Sequence, residues 1–395
     1  MGQIPHACEL TSKGLAWALS GHPWVYRDDL VSVAGEHGDV VRVEREGRCL
    51  GSAFLSLRSK IALRFIERSA TPHLPDDAFW HERLARAGLA RAELAGRTDA
   101  FRVVHGESDG LPGLVVDRYG PVAVVQTATA GAERLLPFLA RELPALLGVS
   151  AVIARNDAAV REKEGLAREV RALCGDAAGL LWVHEEGPAG RIDLPVDPLA
   201  GQKTGAFLDQ RENRWRTAEL ARGRMLDAFC YSGAFALHAA RRVERALCLD
   251  SSEPALALCQ AAAARNGLAN VETVRANAFD FLKAAVGRGE RFDTIVLDPP
   301  AFAKNRGELR SALRGYRELN RRAMEIVAPA GLLVTCSCSY NLGEQDFLDM
   351  LRHAAGDARA EFRLLERRGQ ASDHPVLLGH PESAYLKCAF LLKQG

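Results

Sequence analysis

The stretch that decides the fold is Asp227-Ala228-Phe229-Cys230-Tyr231-Ser232-Gly233, which continues the apolar pair Met225-Leu226. This pattern predicts a strand, a tight loop of small residues and the start of a helix, in that order. Small residues let a loop backbone approach a ligand closely, and the first amide groups of a helix are free to bind it. We therefore expect a ligand-binding loop built from Asp227, Phe229, Tyr231, Ser232 and Gly233.

Apolar segments alternate with helical ones on both sides of that loop. Strands are expected at 225–227, 246–250, 271–276, 292–298 and 332–338. A helix is expected at 254–266, with Pro254 near its start and Gly267 at its end. Repeated strand–helix–strand units predict a mostly parallel, doubly wound α/β sheet that binds ligands at the carboxyl ends of its strands. The last apolar run, 385–392, is expected to add an edge strand.

The part of the chain before this sheet has a different pattern. Short β-rich runs at 31–33, 39–43 and 61–66, separated by glycines, predict a small β-barrel-like module. A helix at 76–95, strands at 101–104, 114–117, 122–127 and 151–154, and a helix at 133–147 predict a middle α+β unit. Gly187, Pro188 and Gly190 resemble a linker. The expected domains are 1–70, 71–190 and 191–395.

Composition limits the class of protein. Of the 395 residues, 48% are hydrophobic and 26% charged, as in soluble globular proteins. The sequence contains no apolar run of membrane-spanning length and no signal-peptide pattern, so we expect a cytoplasmic protein without a membrane partner. Nine cysteines without a CxxC pair predict a reducing compartment and no metal site. Because the net charge is only +1, nucleic-acid affinity must come from local patches.

A second carboxylate suggests the type of cofactor. Asp250 ends the next expected strand, 23 residues after Asp227, and can accept hydrogen bonds from ribose hydroxyls. A dinucleotide such as NAD would also fit these two acids, but its pyrophosphate needs several glycines, and Gly233 stands alone in the loop. A sulfonium cofactor carries no phosphate, so S-adenosylmethionine is favoured. The alternative interpretation is that both acids only cap loops.

The run Asp298-Pro299-Pro300 follows a very apolar strand. Prolines fix φ and remove hydrogen-bond donors, so they hold the strand end extended. The Asp298 carboxylate and the carbonyl groups around Pro299 should then face the cofactor. An acidic residue before two prolines is typical of methyltransferases that act on planar nitrogen heterocycles. A simple turn would explain the prolines but not the aspartate.

Two cysteines lie in Thr335-Cys336-Ser337-Cys338-Ser339, at the end of the fifth strand. A thiolate can add to C6 of a pyrimidine, which makes C5 nucleophilic enough to accept a methyl group; loss of the C5 proton then expels the thiol. Both cysteines lie on the same face of the strand, and Cys338 is nearer its carboxyl end. We therefore expect Cys338 to be catalytic and Cys336 to be a core residue.

A basic stripe follows the Asp-Pro-Pro run. Arginines recur at spacings of four, four, three and four, which places them on one helical face, with Phe302 and Tyr316 interleaved. Such a face can neutralise phosphates while aromatic rings hold an unstacked base. The alternative is an ordinary solvated helix face. The expected RNA contacts are Phe302, Arg306, Arg310, Arg314, Arg317 and Arg321.

Nearly the whole chain resembles the bacterial large-subunit (23S) ribosomal RNA cytosine-5 methyltransferases that carry an N-terminal PUA domain. The resemblance depends on the Asp-Pro-Pro run and on four further segments, namely His22-Pro23-Trp24-Val25, Gly106-Glu107-Ser108-Asp109-Gly110-Leu111-Pro112-Gly113, Lys203-Thr204-Gly205-Ala206-Phe207-Leu208-Asp209-Gln210-Arg211 and Ser372-Asp373-His374-Pro375. It implies a PUA-like barrel, a middle α+β domain and a Rossmann-like class I methyltransferase domain. It also implies 23S rRNA as the substrate.

The resemblance further assigns individual residues. Phe207 and Gln210 would border the cofactor pocket, and Asn277 would accept a hydrogen bond from the adenine amino group. The family nucleophile lies seven residues after the glycine that opens the fifth strand, and that count from Gly331 reaches Cys338. Many members have Phe-Ser where this chain has Cys336-Ser337.

The predicted function is therefore formation of 5-methylcytosine in large-subunit rRNA, with Cys338 adding to cytosine C6 and Asp298 holding the base. Two alternatives remain at this point. One is methylation of an exocyclic amino group of a purine, which uses Asp-Pro-Pro without a thiol. The other is an RNA-binding or ribosome-assembly factor without turnover. A homodimer is compatible with the sequence.

Overall fold

The computed structural model describes residues 2–176, 179–302 and 306–394. Contacts group the chain into two units. The first unit contains the chain up to Val183 together with Val196–Leu208 and Asp373–Ser383, and the second contains His184–Pro195, Asp209–Ser372 and the chain from Ala384 onward. The division into three domains at residues 70 and 190 stays a prediction.

The first unit begins with a six-stranded sheet. Its elements are β1 (Ala7–Leu10), α1 (Ser12–Leu19), β2 (Trp24–Tyr26), β3 (Leu30–Ser32), β4 (Val40–Arg45), β5 (Arg48–Leu55) and β6 (Ile61–Glu67). The strand order is β2-β6-β5-β4-β1-β3; β1 and β4 are parallel, and the other pairs are antiparallel. Val41 and Val43 alternate with half-exposed residues along β4 and pack against Cys8 and Leu10 of β1 in one core. The sequence predicted three of the strands and missed β1, β2 and β5.

A five-stranded sheet follows in the same unit. Its elements are α2 (Asp77–Leu89), α3 (Ala92–Ala95), β7 (Ala100–His105), β8 (Leu114–Tyr119), β9 (Val122–Thr127), α4 (Ala130–Glu133), α5 (Leu136–Leu147), β10 (Ala151–Asn156) and β11 (Glu169–Cys174). The order is β11-β10-β9-β8-β7, with β9 and β10 parallel. The single helix predicted for 76–95 is two helices. The first is capped by the Asp76 side chain, which accepts a hydrogen bond from the Phe79 amide at 3.0 Å.

The segment predicted as a linker is a β-hairpin instead. Strands β12 (Leu181–Gly187) and β13 (Gly190–Val196) pair with each other, and Pro188 and Ala189 form the turn between them. Glycine and proline therefore mark the tight turn of this hairpin.

The second unit contains the doubly wound domain. Its remaining elements are α6 (Arg211–Leu220), β14 (Arg224–Ala228), α7 (Ala234–Ala239), β15 (Arg245–Asp250), α8 (Glu253–Arg265), β16 (Val271–Arg275), α9 (Ala278–Gly287), β17 (Phe292–Leu297), α10 (Leu309–Ile326), β18 (Val327–Ser337), α11 (Glu344–Asp357), β19 (Phe362–Arg368) and β20 (Lys387–Lys393). The strand order is β16-β15-β14-β17-β18-β20-β19, and the first five strands are parallel. The predicted α/β sheet is confirmed.

One strand prediction was wrong. Strand β20 is not at the edge, because it lies between β18 and β19 and is antiparallel to both. The edge is β19, whose run Phe362-Arg363-Leu364-Leu365-Glu366-Arg367-Arg368 is too rich in charge to be recognised from its pattern as a strand of this sheet. Five of the seven residues of β20 are buried, as an interior strand requires.

Helices cover both faces of this sheet. One core contains side chains of α9, α10 and α11, among them Leu282, Tyr316 and Phe347. The opposite core contains side chains of α6, α7 and α8, among them Phe235 and Leu256. This two-sided burial explains the nearly continuous apolar runs of the parallel strands and leaves their carboxyl ends available for a site.

Among the described residues, no helix combines the length and apolar character that a membrane span requires. The same residues contain no group of three or more His, Cys, Asp or Glu side chains arranged to hold a metal ion.

Candidate functional site

Asp227 near the end of β14 is the most deeply buried acid at the carboxyl edge of the sheet, with 1% of its surface exposed. One carboxylate oxygen accepts a hydrogen bond from the Ala236 amide at 3.1 Å, and the other has no partner among the described residues. Burial, together with the charges of Asp298 and Asp250, raises the pKa of Asp227 to about 8. A buried, unpartnered acceptor at a strand end indicates that a hydrogen-bond donor is missing there.

The loop after β14 is held in an unusual backbone conformation. Phe229 and Tyr231 have positive φ values of 64° and 50°. Such values are uncommon for residues with side chains and are concentrated at ligand sites. Gly233 follows with φ 78°, and a Cβ added there would lie 2.3 Å from the sulfur of Cys259. Glycine is therefore required at 233, and Ser232 is buried beside it.

Asp250 at the end of β15 connects two loops. Its carboxylate accepts hydrogen bonds from the amides of Tyr231 and Ser252, each at 2.9 Å. Asp250 therefore does cap loops, as the alternative interpretation of the sequence proposed. Each carboxylate oxygen has a second lone pair, and the side chain is half-buried, so it can also accept a ribose hydroxyl.

Asn277 is the N-cap of α9. Its amide oxygen accepts hydrogen bonds from the backbone amides of Phe279 at 2.9 Å and Asp280 at 3.4 Å. The oxygen expected to receive the adenine amino group is thus already engaged in a helix cap. The side chain is exposed at the carboxyl edge of the sheet, and its contact with a cofactor stays a prediction.

The Asp298-Pro299 step directly follows β17. Pro299 is buried and Asp298 is half-buried. Strand β17 lies between β14 and β18 in the sheet and is parallel to both. The structure therefore brings Asp298 together with the ends of both β14 and β18.

The two neighbouring cysteines differ in exposure. Cys336 is 0% exposed and packs in the core beside Cys388 of β20, its partner in the sheet register. Burial raises the pKa of the Cys336 thiol well above its usual value. Cys338 lies one residue beyond the end of β18 and is half-buried. The packing function expected for Cys336 agrees with this environment, whereas Cys338 has the partial access that a nucleophile needs.

Gln210 lies directly before α6 and is buried. Its side-chain oxygen accepts a hydrogen bond from the Asn213 amide at 2.7 Å, whereas its own side-chain nitrogen has no hydrogen-bond partner among the described residues. Phe207 belongs to the first unit, where the Lys203 ammonium lies 4.7 Å from its ring centre. Gln210 thus belongs to the second unit, and the contacts of Gln210 and Phe207 with the cofactor stay predictions.

Three polar residues lie around Cys338 in positions that the sequence did not predict. The hydroxyl groups of Tyr316 on α10 and Ser339 share a hydrogen bond of 2.9 Å. The Lys387 ammonium on β20 donates to the carbonyl oxygens of Ser339 at 2.7 Å and Tyr385 at 2.8 Å. The available signal for Lys387 was a lysine within the otherwise apolar run 385–392.

The basic face of α10 is only partly free. Arg317 forms two hydrogen bonds with Asp357, at 2.6 and 2.7 Å, and Arg321 is paired with Glu318 and Glu325. Arg310 and Arg314 are exposed and have no acidic partner within 4.0 Å among the described residues. The side chain of Arg306 lies outside the description.

The aromatic residues of this region need a correction. Tyr316 is 0% exposed, so it cannot hold an unstacked base as expected. Phe302 packs on Tyr316, with ring centres 4.5 Å apart, and remains half-buried. Its contact with RNA stays a prediction.

Comparisons with known proteins support the described architecture. A family model described as "PUA-like domain" matches residues 9–68, and one described as "Conserved hypothetical protein 95" matches residues 211–330. A protein of Shewanella denitrificans named ribosomal RNA large subunit methyltransferase I is 37% identical over 377 residues, which cover 93% of this chain and 94% of that protein. A protein of Photobacterium profundum with the same name is 36% identical, with the same coverage.

Solved structures show the same fold. A protein described as a SAM-dependent methyltransferase from Streptococcus mutans has a TM-score of 0.82 at 21% identity, with 98% of this chain and 100% of that chain covered. A second structure, of a methyltransferase complexed with SAH, has a TM-score of 0.82 at 21% identity and covers 99% of this chain and 100% of that chain. The N-terminal module is thus PUA-like, and the second unit has the Rossmann-like methyltransferase fold.

Proposed function

The chain belongs to the family of proteins named ribosomal RNA large subunit methyltransferase I, and we propose that it transfers a methyl group from S-adenosylmethionine to C5 of a cytosine in large-subunit (23S) rRNA. The observation that carries the cytosine-C5 assignment is the half-buried thiol of Cys338, one residue beyond β18. Strand β18 pairs with β17, the strand that Asp298 follows. A methyltransferase of exocyclic amino groups has no use for a thiol at this position.

The residues at the carboxyl edge fit S-adenosylmethionine better than a dinucleotide. Asp227, Asp250 and Asp298 are close enough that their charges raise the pKa of Asp227. Asp227 is mostly protonated at pH 7, but the two neighbouring carboxylates of Asp250 and Asp298 would repel a pyrophosphate, whereas they attract a sulfonium and an ammonium group. The unpartnered oxygen of Asp227 also needs a donor.

We assign the cofactor contacts to the loop Phe229–Gly233, with Tyr231 and Ser232, and to Asp250 at the ribose. Asn277, Gln210, Phe207 and Pro299 are the further proposed contacts. When bound there, S-adenosylmethionine supplies an electrophilic methyl group, which C5 accepts as S-adenosylhomocysteine leaves.

The protein residues perform the remaining chemistry. The Cys338 thiolate forms a bond to C6 of the cytosine, and the electron pair of the C5–C6 double bond becomes available at C5. Asp298 holds the base through N3 and the amino group and supports protonation of the ring as the adduct forms. After methylation, removal of the C5 proton returns its electron pair to the C5–C6 bond, and the C6–sulfur bond breaks to release Cys338.

RNA contact by the second unit is proposed for the exposed face of α10. Arg310 and Arg314 are exposed without an acidic partner, so they are available to phosphates, whereas Arg317 and Arg321 would first have to leave their ion pairs. The contributions of Arg306 and Phe302 follow from their positions on the same segment. We propose a cytoplasmic enzyme that acts on rRNA without a metal.

A trapping experiment tests the proposal. RNA that contains 5-fluorocytosine cannot lose its C5 substituent as a proton, so methylation should leave the RNA covalently attached to the enzyme. Peptide mapping should find the RNA on Cys338 when S-adenosylmethionine is present. An adduct on Cys336 would reassign the nucleophile. Methyl transfer to RNA without any adduct would favour amino-group methylation, and binding of RNA without methyl transfer would favour a binding or assembly factor.

A further inference from the structure

Lys387, at the start of β20, has no part in the mechanism proposed above. We propose that the Lys387 ammonium is a positioning residue that keeps Cys338 in its thiolate form. This inference rests on the proposed function, since it assigns Lys387 a part in the reactivity of the same thiol. It adds an electrostatic partner that neither the sequence motifs nor the comparisons assign.

The position of Lys387 is fixed by the antiparallel pairing of β18 and β20. Lys387 is the first residue of β20 and is paired in register with Ser337, the last residue of β18. Its side chain extends past the end of β18, because its ammonium group binds the carbonyl oxygen of Ser339 at 2.7 Å. Cys338 lies between Ser337 and Ser339 in the sequence. The fold therefore places a cation beside the thiol from a strand about fifty residues away in the sequence.

Burying a charged ammonium group in this position costs free energy. Lys387 is 8% exposed, and lysine is almost never fully buried unless it is paired. Burial lowers the pKa of Lys387 to about 8, and the negative charge of a Cys338 thiolate acts in the opposite direction. The interaction is mutual: the thiolate stabilises the ammonium, and the ammonium stabilises the thiolate.

The hydrogen bonds of Lys387 leave capacity for this function. An ammonium group has three donors. Two of them reach the carbonyl oxygens of Ser339 and Tyr385. Neutral carbonyl groups do not balance a buried positive charge, and among the described residues Lys387 forms no ion pair with a carboxylate within 4.0 Å. The thiolate of Cys338 is the anion that the surroundings supply.

Other titratable groups lie on the elements around the same thiol. Tyr316 on α10 lies near Cys338, but burial raises the pKa of its hydroxyl, so this group is neutral at physiological pH. Cys336 on β18 and Cys388 on β20 are buried thiols. The charge of Asp298, after β17, reaches Cys336 and opposes a thiolate nearby. Among these groups, Lys387 alone has a charge that favours the thiolate.

The test measures the reactivity of Cys338 without any methyl transfer. The folded full-length protein is treated with iodoacetamide between pH 6 and pH 10, and alkylation of Cys338 is followed by peptide mass spectrometry. The midpoint of the rate profile reports the pKa of this thiol. In the wild type it should lie below the value of about 8.5 for an ordinary cysteine. A wild-type midpoint at or above that value would overturn the proposal without any variant.

Substitution sharpens the same measurement. In Lys387→Met the midpoint should rise by about one pH unit or more, and the alkylation rate at pH 7 should fall roughly tenfold, because a neighbouring opposite charge shifts a pKa by roughly 1–3 units. Lys387→Arg should keep the midpoint near that of the wild type, because the charge remains. An unchanged midpoint in a folded Lys387→Met protein would show that Lys387 only holds the Ser339 backbone in place and does not change the pKa of Cys338.

Lys393 provides a matched control. It lies on the same strand, and its ammonium donates to the carbonyl oxygens of Met324 at 2.9 Å and Val327 at 2.8 Å. Lys393→Met should leave the Cys338 midpoint unchanged; an equal shift there would indicate a general effect of the sheet. If Cys338→Ala retains methyl transfer, the proposed function fails, whereas the alkylation profile still decides the inference about Lys387.

Discussion

Two regions at the carboxyl edge of the same sheet are built in different ways. The loop after β14 depends on its own backbone: Phe229, Tyr231 and Gly233 have positive φ, and Asp250 from the adjacent strand fixes it. The end of β18 depends on side chains from distant segments, with Tyr316 and Lys387 arriving from α10 and β20. A local motif therefore determines the conformation of the loop that we propose to bind the cofactor, whereas tertiary contacts determine the surroundings of Cys338.

The largest effect should come from the second region. Cys338→Ala should lower methyl transfer at least about a thousandfold, because covalent catalysis is lost with the nucleophile, and it should leave S-adenosylmethionine binding intact. Methyl transfer from labelled cofactor and calorimetric binding measure the two effects separately. Cys336→Ala is the matched control and should retain most of the activity, at the cost of a small cavity. Loss of cofactor binding in Cys338→Ala would show that the two regions are not independent.

The sequence predicted the loop after β14 better than it predicted the surroundings of Cys338. The parallel strands, the binding loop and the acids at 227, 250 and 298 were predictable, since each depends on a short pattern with a local cause. Lys387 was not, because its position depends on β20 inserting between β18 and β19, a pairing that the sequence does not specify. Tyr316 was expected on the exposed face of its helix, but its hydroxyl can be buried because it meets Ser339. The ion pair of Arg317 was equally unpredictable, since its partner Asp357 lies on another helix.

The next effect concerns the binding loop. Asp250→Ala should weaken S-adenosylmethionine binding by about 1–3 kcal/mol, because a charged acceptor of hydrogen bonds is lost. Calorimetry measures the change in Kd. Asp250→Asn should lose less binding free energy than Asp250→Ala, since the asparagine amide oxygen can still accept a hydrogen bond from the Tyr231 amide. An unchanged Kd in Asp250→Ala would remove this residue from the cofactor site and leave only its loop-capping function.

A pH effect distinguishes the loop region further. The pKa of Asp227 is raised to about 8, so the folded state binds a proton that the unfolded state has already lost above pH 4. The contribution of Asp227 to stability is therefore fully present below about pH 4 and is lost as the pH rises toward 8. Asp227→Asn removes the titration, so its stability relative to the wild type should increase from pH 5 to pH 8, by roughly 1.4 kcal/mol for each pH unit below the raised pKa. Urea denaturation of the cofactor-free protein at pH 5 and pH 8 measures this difference. An equal difference at both pH values would contradict the raised pKa.

The smallest effects are expected on α10, which links the thiol region to the surface. Its inner face carries Tyr316 beside Cys338, and its outer face carries the arginines. Replacing Arg310 and Arg314 together by alanine should flatten the salt dependence of RNA binding, with a loss of roughly one unit of slope for each phosphate contact. Replacing Arg317 and Arg321 should change the slope less, because their charges are already balanced by Asp357, Glu318 and Glu325. Filter binding at several salt concentrations compares the two double variants.

Equal slopes in both variants and the wild type would make α10 an ordinary solvated face. A larger loss for the Arg317 and Arg321 pair would mean that RNA displaces the acidic partners, and the contact surface would then extend along the whole helix.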